Sequence, residues 1–414
     1  MNPLHEALAH YAERLHRAAG DAHHVASPLG AWLLLALTGP AATGDVRRAL
    51  EEALGTDVDR AAEAAHALLA APHPLVAAAT ALWERTPFAG LDGWRATLPP
   101  TTERGPLPGQ AALDAWAREH TDGLIDRFPI GVAPETLLIL ASALATRVSW
   151  ASPFQVTSAD QLGPGSAWAS RLSRVLRTPG RGHRCWIAAT ARAGDVAVHA
   201  APARPEPTPD GEAGLLVVSV AAAPDVPAPD VLAAAQEIAA GAATAPDGIG
   251  PGRRSLYDLP LGDTPLWALR EETTRTFARD GREEWATAVL PCWAAESRHD
   301  LTPAGFGFDA AARALGTLLG PTDLPYEAVQ SAVARYGRYG FEAAAVTGFA
   351  VATGLPPEGV ARVAELRFGH PYAVVAVATD AAGGPWHGLP VYSAWVAQPQ
   401  ELPEDELADP PTQW

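Results

Sequence analysis

Residues 340–354 read GFEAAAVTGFAVATG, a small-residue run with a single charge, set between two apolar regions. Before it lies YEAVQSAVARYGRY (326–339), a helix- or strand-like run. After it come Pro356-Pro357, then FGHPYAVVAVATD (368–380) and VYSAWVAQP (391–399), which read as two apolar strands that close the fold. In an extended segment, alternate residues face opposite sides. One side of 340–354 carries Phe341, Ala343, Ala345, Thr347, Phe349 and Val351; the other carries Glu342, Ala344, Val346, Gly348 and Ala350. The first set is uncharged and can be buried. Gly348, Gly354 and the β-branched residues weaken a helix here. The segment is therefore able to add itself to a sheet as an extra strand. About ten new backbone hydrogen bonds at roughly 1 kcal/mol each, plus apolar burial, give on the order of 10 kcal/mol of drive.

The rest of the chain can hold a large core. It has 414 residues, 48% hydrophobic and 19% charged. The net charge of −17 argues against a nucleic-acid partner and against an anionic membrane surface. The chain has no lysine, which excludes Schiff-base chemistry, a P-loop, a kinase-type phosphate lysine and Ser-x-x-Lys catalysis. Cys185 and Cys292 are too few for a disulfide framework and read as buried free thiols. The N-terminal MNPLHEALAHYAERLHRAAG is amphipathic and lacks the apolar core of a signal peptide, so a cytoplasmic protein is expected.

No enzyme site assembles. His5 and His10 are five apart, about 140° around a helix, and do not share a face as a zinc helix requires. GIGPG (248–252) lacks the strand and helix of a phosphate loop, and no G-x-S-x-G elbow is present. The thirteen tryptophans read as packing. No metal and no cofactor are expected.

Periodicity predicts helices over 3–20, from Ser27-Pro28 onward, from Thr43-Gly44 to Gly55, over 60–71, 111–123, 229–240 and 308–318. Strands are predicted over 77–85 and, as one long central strand, over 135–154. A hairpin turns near Gly194-Asp195, and GLLVVSVAAAP reads as a buried strand. Residues 97–109 read as a loop and 400–414 as an acidic disordered tail.

Several segments, in order along the chain, resemble serpins of a divergent, bacterial type. They are VASPLGAWLLLALTGPAATGDVRRALEEALG (25–55), WAREHTDGLIDRF (116–128), LILASALATRVSWASPF (138–154) with Trp150 and Phe154, LPCWAAESRHDL (290–301), and the 340–354 run with its closing strands. The resemblance implies an α+β fold of mixed and antiparallel sheets with a cluster of helices, in one domain over 1–399. It implies a monomer that irreversibly inhibits a serine protease, or a cysteine protease. Cleavage of a reactive-centre loop at about 340–366 would be followed by insertion of the cut loop into a sheet. The hinge would be Gly340, Phe341, Glu342, Ala343, Ala344 and Ala345. The region where the sheet opens would hold Ser27, Gly30, Ser142 and Gln330. Family spacing puts the cut at Gly354–Leu355, give or take one residue, so Thr353, Gly354 and Leu355 are the scissile candidates. Their small neighbours suit an elastase- or subtilisin-like target.

Arg362 is the obvious trypsin-like site, but it lies beyond this point and reads more simply as a solvated arginine. In the closing strand Gly369 and Tyr372 depart from the pattern, standing where an Asn or Asp and a Phe are usual; at the hinge Phe341 stands where a Thr or Ser is usual, and Arg338 where a glutamate is usual. Phe341 and Arg338 motivate the alternative, a non-inhibitory protein of the same fold whose loop is only a substrate.

Overall fold

The computed structural model describes residues 3–146, 148–245, 250, 252–320, 325–340 and 357–407. Local sequence signals set most helix ends. Ser27 caps helix Pro28–Thr38, its Oγ accepting from the Gly30 N–H, with Pro28 at the first helical position. That helix is apolar all round and buried on nearly every side, as such a pattern requires. Helix Gly44–Leu54 ends on Gly55, in the left-handed conformation at φ 70°. Asp57 caps helix Val58–Ala70 through the N–H groups of Asp59 and Arg60. Among the described residues no helix is long and apolar enough to cross a membrane.

The largest sheet has seven strands: it runs through His24–Ala26, Pro390–Val396, Tyr372–Asp380, Gly211–Ala221, Gly194–Pro202 and Arg184–Thr190, and short Glu206–Thr208 pairs with the start of Gly211–Ala221 off this path. Both its faces are covered. Helix Pro28–Thr38 belongs to the main core on one side. On the other, Leu232, Ala235 and Ile238 of helix Ala228–Thr244 pack on Val218, Val220, Val375 and Val377. Two-sided burial explains why Gly211–Ala221 reads as an unbroken apolar run, every residue from Ala213 to Ala221 being buried. A second sheet orders Gly262–Asp263, Trp267–Arg275, Glu358–Arg367, Arg282–Leu290, Arg174–Arg177 and Gln155–Ser158. Two smaller sheets hold Glu103–Pro106, Ala77–Glu84 and Leu138–Ala145 in one, and Trp293–Asp300 with Val329–Tyr336 in the other.

Four expectations are corrected. The predicted long strand over 135–154 is an eight-residue strand, Leu138–Ala145, followed by isolated bridges at Ser149 and Trp150. The predicted loop over 97–109 contains strand Glu103–Pro106, which lies parallel to Ala77–Glu84. The loop does not extend to 366, because Glu358–Arg367 is a central strand, antiparallel to Trp267–Arg275 and parallel to Arg282–Leu290. The tail does not begin at 400: Leu402 is buried in the main core and Glu404–Leu407 is a short helix. Cys185 and Cys292 are free thiols; burial pushes Cys185 up to about 12 and Cys292 higher still.

Arg362 is neither in a loop nor solvated. Its Nη1 donates to the carbonyls of Leu256 (2.9 Å) and Leu259 (2.8 Å), and its guanidinium lies 4.9 Å from the Tyr257 ring centre. Held in a ladder on both sides, it is out of reach of a protease cleft. Limited digestion of the native protein with trypsin, read by mass spectrometry, is expected to leave the Arg362–Val363 bond intact.

Candidate functional site

Strand Leu138–Ala145 pairs on one side with Ala77–Glu84, and strand Val329–Tyr336 pairs on one side with Trp293–Asp300. Among the described residues, no ladder joins the two strands to each other. Between them lies a cleft of about 530 Å³, lined by Leu138–Leu144 on one flank and Pro325–Ser331 on the other. Its floor is apolar, with Ala31 and Leu34 from helix Pro28–Thr38 and Phe308, Leu315 and Leu319 from helix Phe308–Leu319. The slot thus offers two open backbone edges over an oily floor, a setting in which an added strand bonds on both sides.

Part-way along it, side chains tie both flanks to helix Pro28–Thr38 and its cap. Ser27 N donates to Gln330 Oε1 (2.9 Å), and Gln330 Nε2 donates back to the Ser27 carbonyl (2.7 Å). Ser27 Oγ donates to the Val391 carbonyl (2.9 Å), and Ser142 Oγ donates to the Gly30 carbonyl (2.8 Å). The structure therefore brings Ser27, Gly30, Ser142 and Gln330 together across the slot.

At the end that leads into residue 341, backbone bonds close it. Trp150 N donates to the Tyr339 carbonyl (3.1 Å), and Phe154 N to the Arg338 carbonyl (3.0 Å). Trp150 Nε1 donates to the Gly337 carbonyl (2.9 Å), and Arg338 Nε to the Phe154 carbonyl (3.1 Å). Ser149 bridges Gly340, whose φ is +81°. A Cβ at Gly340 would lie 2.2 Å from the Val148 carbonyl oxygen, so this closure needs glycine. The chain enters the 341–356 segment directly from this closed end. Phe341, Glu342, Ala343, Ala344 and Ala345, with Thr353, Gly354 and Leu355, lie outside the described residues.

Two histidines pack against Phe154 at the closure, His183 edge-on with ring centres 4.5 Å apart and His199 tilted at 5.4 Å. His183 Nε2 donates to the Ser152 carbonyl (2.8 Å), which leaves its Nδ1 to accept from His199 Nε2 (3.0 Å). His183 is thereby neutral. Burial pushes His183 down to about 4 and His199 well below the ordinary imidazole range. Among the described residues no group of three or more His, Cys, Asp or Glu could hold a metal.

Sequence reasoning missed the histidine pair, since isolated histidines carry no pairing signal. It also missed Glu406, which binds Arg338 at the closure, and Glu401, which accepts from the N–H groups of Ser173 and Arg174. An apolar Leu402 inside the acidic run was the available sign that this segment packs.

No family model matches the chain, and no curated protein does. Solved structures match along nearly all of it. A thermophilic serpin, tengpin, in its native state is 13% identical with a TM-score of 0.61, over 96% of this chain and 95% of its own. The chain has the serpin fold. Thyroxine-binding globulin in complex with thyroxine also carries this serpin architecture, at 15% identity and TM-score 0.60, over 96% of this chain and 99% of that one. An Arabidopsis serpin in its native stressed conformation matches at 14% and 0.57, over 96% and 98%.

Two outcomes are expected of this site. Gly340→Ala strains the closure and lowers the midpoint of thermal unfolding, with a cost of about 1–3 kcal/mol. The second concerns pH. The unfolded chain protonates His183 near the ordinary value of about 6.5, whereas the folded ring resists down to about 4. Between these values the unfolded state binds the extra proton, so stability falls as pH drops, by about 3 kcal/mol from His183 alone. Melting curves from pH 7 to pH 4 should show this slope, and His183→Gln should flatten it.

Proposed function

We propose that the protein inhibits serine or cysteine proteases by trapping them: a protease cuts the 341–356 segment, and the new strand enters the slot from Gly340 onward. The observation that carries this reading is the slot itself, open along two facing strand edges and closed at the end where the segment begins. A chain turning back at Gly340 runs antiparallel between the two flanks and bonds to both. On the order of ten backbone bonds at about 1 kcal/mol each, with Phe349 and Val351 over the apolar floor, make insertion downhill. The uncut protein is then kinetically stable, held by its closures.

Covalent capture follows from timing. The acyl-enzyme bond joins the protease to the cut end, and insertion must finish before water hydrolyses it. From Phe341 to Gly354 an extended strand spans roughly 45 Å, enough to carry the bound protease across the molecule and distort its site. The cut falls at Gly354–Leu355, give or take one residue, and the small residues before it suit an elastase- or subtilisin-like partner.

Phe341 favours a second reading, in which the protein has the fold but does not inhibit, and its loop is only a substrate. A bulky side chain at the first inward position slows entry at the closed end.

Mixing the protein with subtilisin-, elastase-, chymotrypsin- and trypsin-like proteases separates the two. Inhibition gives a denaturant-resistant complex and a released C-terminal peptide beginning near Leu355. It also gives a cleaved form that melts well above the intact one. Clean cleavage with active protease left over and no gain in melting temperature assigns the second reading. With inhibition, Phe341→Thr should reduce the number of inhibitor molecules consumed per protease trapped.

A further inference from the structure

We propose that residues 400–407 form a strap that governs how readily the closed end of the slot opens; this rests on the insertion reading above. The strap leaves the last sheet strand and is fastened at four places. Gln400 N donates to the Cys292 carbonyl (2.8 Å). The Glu401 carboxylate accepts from the N–H groups of Ser173 (2.7 Å) and Arg174 (2.9 Å). Leu402, 3% exposed, is seated in the main core.

The fourth fastening is at the closure itself. Glu406 Oε2 accepts from the Arg338 N–H (2.5 Å), and the Glu406 carbonyl accepts from Arg338 Nη1 (2.8 Å). The Glu406 carboxylate lies so close to Gly337 that a Cβ there would be 2.7 Å from Oε1. The same guanidinium reaches across the closure to the Phe154 carbonyl through Nε (3.1 Å).

Entry of the first residues after Gly340 requires 337–340 to part from 149–154. Every bond across that line involves Gly337, Arg338, Tyr339 or Gly340. The strap bonds to one of these four, Arg338, lies against Gly337, and ties the closure to the start of strand Arg174–Arg177, in a different sheet. Separation must therefore break the Glu406 contacts or drag a segment whose Leu402 is anchored in the core. Arg338, where the family pattern has a glutamate, is the residue that makes an acidic strap fit: the charge is exchanged between the closure and the C-terminal segment.

The test uses the full chain and three single variants. Glu406→Ala removes the grip at the closure, Glu401→Ala loosens the far end, and Glu404→Ala, an exposed neighbour on the same helix, is the control. The first readout is amide hydrogen exchange at Trp150 and Phe154, whose N–H groups are held across the closure. Loss of a charge-assisted bond is expected to speed their exchange about tenfold or more in Glu406→Ala. Glu401→Ala should give a smaller change and Glu404→Ala none. The second readout is the rate at which a labelled peptide of residues 341–354 is taken up by the uncut protein; it should rise in the same order.

Unchanged exchange at Trp150 and Phe154 in both Glu406→Ala and Glu401→Ala overturns the strap, whatever the peptide does. Faster exchange with no peptide taken up by any form overturns the insertion reading and leaves the strap as the fastener of a cleft. Faster exchange spread over the whole chain means general destabilisation, and also overturns the strap.

Discussion

Two strands, Leu138–Ala145 and Val329–Tyr336, flank one cleft and do not bond to each other, and the architecture around the cleft is arranged to keep them so. Open edges are ordinarily a hazard, because unpaired N–H and C=O groups accept any strand that arrives. Here they face a slot that is fastened at two places. Part-way along it is held by the Ser27–Gln330 pair and Ser142, and at one end by the 149–154 and 337–340 contacts. The cost of leaving the edges open is modest while solvent reaches them. The gain on filling them is large, since each bond formed adds to its neighbours over an apolar floor.

The two halves of the molecule differ in how firmly they are built. The seven-stranded sheet is covered on both faces, and its central strand Gly211–Ala221 has a neighbour along each edge. Among the described residues the slot flanks each have one neighbour, and they rest on helices Pro28–Thr38 and Phe308–Leu319. A rigid base beneath a separable upper layer is a physical arrangement in which one part can move without unfolding the other. The buried His183–His199 pair sits where the two meet, against Phe154 and the seven-stranded sheet. Its neutrality ties the closure to a dry environment.

Much of the fold was legible because its signals are local. Ser27 before Pro28 and Gly55 after Leu54 each meet a need of one helix end, within four residues, whereas the Asp57 cap was passed over and its helix expected to start at 60 instead of Val58. The alternation of Phe341 through Val351 can be read from the chain alone. The start of strand Glu358–Arg367 could not. Its Ala, Val and Glu residues fit a strand or an exposed loop equally, and its partners at Trp267–Arg275 and Arg282–Leu290 lie 70 or more residues earlier. Residues 400–407 misled for the opposite reason: an acidic composition signals a solvated tail, but four particular fastenings, at Gln400, Glu401, Leu402 and Glu406, outweigh it. Ser27, Gly30, Ser142 and Gln330 came from a family likeness, and no spacing in the sequence would have put them within hydrogen-bond reach.

The sequence by itself determined where helices start and stop, which strands are buried on two faces, and that one small-residue segment can become a strand. Only the tertiary structure decided which strands are paired and which are left with an open edge. It also decided that Arg338 meets Glu406. The reason is that caps, turns and periodicity depend on neighbours in the chain. Strand pairing and buried ion contacts join residues far apart, whose meeting depends on how everything between them packs.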